Sequence, residues 1–202
     1  LDAIAAARKA NGASGRHHEL AHAGFIDPAD IARFAALDAV ADFSPVIWYP
    51  SPIIASIERA VGERGARYWP TRSLLSSGAL IAGGTAWPAA VADENPWTGI
   101  AALVTRRDPS GKTPGELWAE QAVTVEDALR IYTINSARAL RLERDIGTIE
   151  PGKSADLVMI DRNPLRIPAE EIAGTRVLAT WFEGRVVSGS APAANSGGEQ
   201  GT

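Results

Sequence analysis

Cysteine is absent from the 202-residue chain. That excludes disulfides, thiolate nucleophiles and cysteine-ligated metal. A basic excess is absent too: 20 Lys and Arg stand against 24 Asp and Glu, a net charge of -4. Nothing neutralises a phosphate backbone, so nucleic acid is not an expected partner. No apolar run reaches the roughly 18–20 residues of a membrane span. No membrane partner is expected, and the opening does not read as a signal peptide. A cytoplasmic address is the expectation. No internal repeat is visible. Histidine is scarce, and all 3 residues fall at His17, His18 and His22. What is present is an ordinary globular balance, 46% hydrophobic and 22% charged. It supports a sizeable core and argues against wholesale disorder. The chain opens on Leu1, and LDAIAAARKANG reads as the middle or end of an amphipathic helix without an N-cap. The expectation is a fragment, or a reading frame begun late.

The punctuation predicts the elements. Residues 1–10 read as a helix stopped at Asn11-Gly12. Residues 18–26 read as a short buried strand or one helical turn. Asp27 and Pro28 start a helix with Ile31, Phe34, Ala35 and Leu37 on its apolar face. Strands are expected at 39–44 and 79–83, and helices near 53–62, 73–77 and 97–106. Thr124 caps the longest helix, 125–142. ADLVMID at 155–161 reads as a strand with a buried LVMI run. Residues 176–188 read as a hairpin turning at Glu183-Gly184. The tail from 189 is expected to be disordered. Alternating helix and strand implies a parallel sheet with crossover helices. Chemistry in such sheets sits at the carboxyl ends of strands, here near His22, Ser44-Pro45 and Thr85-Ala86.

The densest polar cluster is Arg16-His17-His18-Glu19-Leu20-Ala21-His22. His18 to His22 spells H-E-x-x-H. On a helix this places two imidazoles one turn apart for zinc, with a carboxylate to activate its water. Gly12, Gly15, Gly24 and Pro28 leave no room for a long helix. On a strand, residues four apart lie roughly 13 Å apart, so His18 and His22 could not share one ion. A zinc protease and histidines without metal are the two readings beside a strand carrying one ligand, His22.

RHHELAHAGFIDPADIARFAALDAVADFSP resembles a segment of the metal-dependent amidohydrolase superfamily. Its pattern is similar to R-H-x-I-x-H followed by P-x-D-I-x-R-F-A-x-L-G-V in amidohydrolase family 3, which contains formamide deformylase and amidase-like enzymes. PTRSLLSSGALIAGGTAWP resembles that family's R-S-L-L-x-x-G-A and G-S-D-W-P. ALVTRR, TVEDALRIYTINSARAL and GTIEPGKSADLVMIDRNPL resemble its remaining carboxy-terminal motifs. The likeness runs from residue 1 to about 188.

The resemblance implies an α/β fold: the carboxy-terminal part of a (β/α)8 TIM barrel, about strands six to eight, plus part of a small β-sandwich. The implied divisions are 1–144, 145–188 and a tail at 189–202. A full barrel takes about 250 residues, so the amino-terminal half of the barrel would be a missing partner. A homo-oligomer is also among the expectations. By resemblance His22 is a metal ligand, and the family's catalytic aspartate, the general base, falls at Ala86. Alanine accepts no proton, and losing a base costs about 10²–10⁴-fold. Asp93 and Glu94 lie seven and eight residues on, too far to substitute without a loop folding back. The other metal ligands would lie upstream of Leu1. The implied cofactor is a divalent metal, zinc by preference, and the implied substrate a small amide-type molecule cleaved at a carbon–nitrogen bond. Trp87, Trp48 and Arg72 are candidate substrate contacts; Arg72 equally suits a structural pair. Lys153 and Asp156 read as turn and sandwich scaffolding, and Thr105-Arg106 as packing and pairing near the barrel mouth. The expectation for this chain alone is inactivity. The alternative is a catalytically dead scaffold or binding protein.

Overall fold

A computed structural model describes residues 1–12, 17–43, 49–88 and 94–190. Three short strands form the first sheet: β1 (His18–Ala21), β2 (Ala39–Phe43) and β3 (Leu80–Gly83). They are parallel, in the order β1-β2-β3. Parallel neighbours need crossovers, and helices supply them. Helix α1 (Asp2–Asn11) precedes β1, and α2 (Ile31–Ala36) joins β1 to β2. Helices α3 (Pro52–Val61) and α4 (Thr71–Ser76) lie between β2 and β3. Asp27 caps as its sequence suggests, accepting from the Ala29 N–H through Oδ1. The first turn there is 3-10, with α2 starting at Ile31.

The two faces of this sheet differ, because side chains alternate along each strand. Ala39, Ala41, Phe43 and Ile81 join a core with Phe34, Ile54, Trp69 and Leu74 from the crossovers. A large apolar side chain buried this completely contributes roughly 1.5–3 kcal/mol. The register puts Glu19 beside Val40 and Ala21 beside Asp42, then Val40 beside Leu80 and Asp42 beside Ala82. These six residues share the opposite face.

Helix α5 (Pro96–Thr105) is apolar nearly all round, with Trp97, Ile100, Ala101, Ala102 and Leu103 buried. The long carboxy-terminal helix is not one regular α-helix. It runs as α6 (Val125–Arg130), a π-helical stretch (Ile131–Asn135) and α7 (Ser136–Leu140), and it ends before 142. Ser136 explains the widened turn. Its hydroxyl donates to the Ile131 carbonyl at 2.8 Å and accepts from the Gly83 N–H at 3.4 Å. A hydroxyl that bonds backbone in this way competes with the regular ladder. The contact also braces the end of β3.

The second sheet is antiparallel, β4 (Leu157–Ile160), β5 (Val177–Phe182) and β6 (Arg185–Gly189), in that order. Its hairpin turns at Glu183-Gly184, both with positive φ (50° and 77°), the pair of dihedral signs that suits strand twist. Asp156 does not bond its own neighbours. It reaches across to accept from the Glu183 N–H at 2.8 Å. The LVMI run is not buried: Val158 is 57% exposed. Phe182 and Val187 are also exposed. A 3-10 segment at Ala169–Gly174 ties this sheet to the core, with Ile172 fully buried. Gly189 closes β6, so the tail cannot begin there. Residues 191–202 lie outside the described residues.

Candidate functional site

β1 and β3 run parallel through β2, so their carboxyl ends open on one edge of the sheet. His22 follows β1 directly, and Ala86 stands three residues beyond Gly83. Both hold a left-handed backbone, φ 53° at His22 and 54° at Ala86. Non-glycine residues pay about 1–2 kcal/mol for that conformation. Strain of this kind concentrates at functional positions.

Asp42 and Glu19 lie on the face below this edge. Burial raises the Asp42 carboxyl above its usual range, opposed by the charge of His22 and a hydrogen bond with Glu19. Glu19 is raised as well, by burial first and then by the charge and hydrogen bond of Asp42. The two carboxyls therefore favour a shared proton, with His22 in electrostatic reach. Sequence reasoning missed Asp42. Its signal is a lone carboxylate inside the apolar run AVADF.

The strand disperses the histidine cluster. His17 lies at the opposite end of β1, where Nδ1 meets Asp38 Oδ1 at 3.2 Å. A strand of this length puts His17 and His22 on the order of 15 Å apart. HELA forms β1 and not a helix, so the H-E-x-x-H reading falls. Among the described residues no three His, Asp or Glu side chains converge closely enough to hold a metal ion. The described residues alone therefore do not fit a complete metal site.

The other candidates separate. Trp87 is 54% exposed beside Ala86. Arg72 is bound into the scaffold, its Nε donating to the Ala122 carbonyl at 2.9 Å. Glu94 borders a groove against β5 with Trp97 and Arg176. Trp48, Ser44, Pro45, Arg16 and Asp93 lie outside the described residues. Lys153 is scaffolding, its Nζ donating to the Glu143 carbonyl at 2.7 Å and to Thr148 Oγ1.

Arg106 is fully buried and also left-handed. Its Nε donates to the Leu117 carbonyl and its Nη2 to the Tyr68 carbonyl, each at 2.8 Å. Burial pulls its pKa down to about 9, still charged at neutral pH. It cross-links two loops through backbone carbonyls.

The sequence profile of the amidohydrolase family matches residues 1–188. The chain belongs to that family, in the group known as amidohydrolase family 3. It is 32% identical over 190 residues to Protein LONG AFTER FAR-RED 3 of Arabidopsis thaliana, covering 92% of this chain and 31% of that protein. It is 29% identical over 186 residues to N-substituted formamide deformylase of Arthrobacter pascens, covering 91% of this chain and 33% of the enzyme. Its fold is similar to that of a metal-dependent hydrolase from Pyrococcus horikoshii OT3, with a TM-score of 0.65 and 28% identity, over 83% of this chain and 33% of that one. The chain thus spans about a third of the length of the relatives it matches. Among the described residues no helix is long and apolar enough to cross a membrane.

Proposed function

We propose that this chain is the carboxy-terminal part of a metal-dependent amidohydrolase that hydrolyses a carbon–nitrogen bond in a small amide-type substrate. In this reading β1, β2 and β3 are barrel strands six, seven and eight, and the second sheet is part of a sandwich. The observation that carries it is the placement of His22 and position 86 at one edge of a parallel sheet, where such folds hold their chemistry. His22 would supply one imidazole to a divalent ion, zinc by its preference for nitrogen ligands. The remaining ligands would come from outside the described residues, in keeping with a chain one third the length of its relatives. Position 86 would hold the group that takes a proton from the attacking water. Alanine leaves that place empty, so the chain as it stands is hydrolytically silent.

The same alanine favours a second reading, a scaffold that keeps the pocket and has lost the reaction. Trp87, beside position 86 and exposed, would then serve binding alone. The test is hydrolysis of N-substituted formamides by the intact protein and its Ala86→Asp variant. Activity appearing only in the variant supports an amidohydrolase that lost its base. No activity in either, with metal absent, supports the scaffold.

A further inference from the structure

A cleft lies between the loop after β1 and the segment that follows α3. Its volume is about 260 Å³, and its walls are Phe25, Ile26, Ile31, Arg64, Arg67 and Trp118. We propose that this cleft binds a small carboxylic acid with a planar, apolar body.

Charge is the first argument. The Arg67 guanidinium makes no ion pair and no side-chain hydrogen bond with the described residues. Among the described residues Arg64 reaches only the Val61 carbonyl, at 3.5 Å. Among the described residues the one acidic group on the rim is Asp27, and its Oδ1 already caps the Ala29 N–H. Two unneutralised cations three residues apart repel each other, and an anion between them relieves this. Guanidinium forks match the two oxygens of a carboxylate.

Shape is the second. Phe25 is 48% exposed, yet its ring sits 4.5 Å from that of Tyr68. The Tyr68 contact sets the ring as one wall of the cleft. Arg106 fixes the rest of the cleft. It grips the carbonyls of Tyr68 and Leu117, the residues next to Arg67 and Trp118. The Trp69 N–H holds the Gly24 carbonyl at 2.9 Å, which anchors the loop carrying Phe25 and Ile26. Three wall segments thus meet at one buried knot, and little ordering entropy remains for a ligand to supply.

The cavity is smaller than the roughly 300 Å³ at which drug-sized pockets begin, so the ligand is small. An inorganic anion would leave the aromatic walls bare. A neutral hydrocarbon would leave both guanidinium groups unmet. An aromatic carboxylate satisfies both.

The test is calorimetric titration of the intact protein with benzoate, benzyl alcohol and acetate. Benzoate is expected to bind saturably, at least about tenfold tighter than either comparison compound. Arg67→Gln should weaken benzoate at least about tenfold without moving the melting temperature, since the side chain is exposed. Phe25→Ala should weaken it as well. Absence of saturable benzoate binding in the millimolar range overturns the proposal. So does equal benzoate affinity in the Arg64→Gln/Arg67→Gln double variant, which would place the ligand elsewhere.

Discussion

His22 and Ala86 hold nearly the same left-handed backbone, φ 53° and 54°, beyond the carboxyl ends of β1 and β3. Aspartate tolerates this conformation better than alanine, because its short carboxylate bonds local backbone. The backbone at 86 therefore suits the aspartate that the proposed function puts there. Ala86→Asp should leave the melting temperature unchanged or raise it. In the intact protein it should raise formamide hydrolysis at least about 10²-fold. A variant that melts well below the parent would show that the geometry at 86 is not built for a carboxylate.

Gly24 has no room for a side chain. A Cβ there would lie 2.2 Å from Tyr68 Cε2. Gly24→Ala should lower stability by about 1–3 kcal/mol, as overpacking does. Gly84→Ala is the control, because a Cβ there meets nothing within 4 Å. Denaturant melts of the two variants make the comparison, and equal midpoints would contradict it.

Arg106→Lys should be destabilising although it keeps the charge. An ammonium cannot span the Leu117 and Tyr68 carbonyls as the guanidinium does. Each buried carbonyl left unmet costs about 1–3 kcal/mol. The cleft beside Arg67 should loosen with it, read as faster amide exchange at Tyr68 and Leu117. Unchanged exchange at both would mean the cross-link is not what holds the loops.

Much of this was legible in the sequence. Helix starts at Asp27-Pro28 and Thr124 and the turn at Glu183-Gly184 depend on local bonding, and local bonding is written in neighbouring residues. The parallel sheet followed from alternation, and the family followed from resemblance. The rest depends on distant partners. Asp42 looks like an interruption of an apolar strand until β1 brings Glu19 beside that face. Arg106 reads as a residue that packs and pairs, but its partners, the carbonyls of Tyr68 and Leu117, are set only when distant loops close over it. The LVMI run looks buried because strand patterning does not say whether a second layer covers the sheet.

Asp161 gives the pH dependence. Hydrogen bonds from Arg162 and from the Arg176 backbone and side chain hold its carboxyl well below the usual range. A lowered folded-state pKa adds stability above the unfolded value of about 3.9. That contribution is lost as pH falls through the folded value. Asp161→Asn should be less stable than the parent at pH 7, and the gap should close on acidification below about pH 4. Thermal melts across that range measure it, and a gap that stays constant would remove Asp161 as the cause.

The central claim is that His22 is the metal ligand this chain contributes. The direct measurement is metal content per chain in the intact protein, in its His22→Ala variant and in its His18→Ala variant. The account predicts about one ion or more in the parent, unchanged content in His18→Ala and near-complete loss in His22→Ala. A metal-free parent, or a His22→Ala variant that keeps its metal, would contradict it.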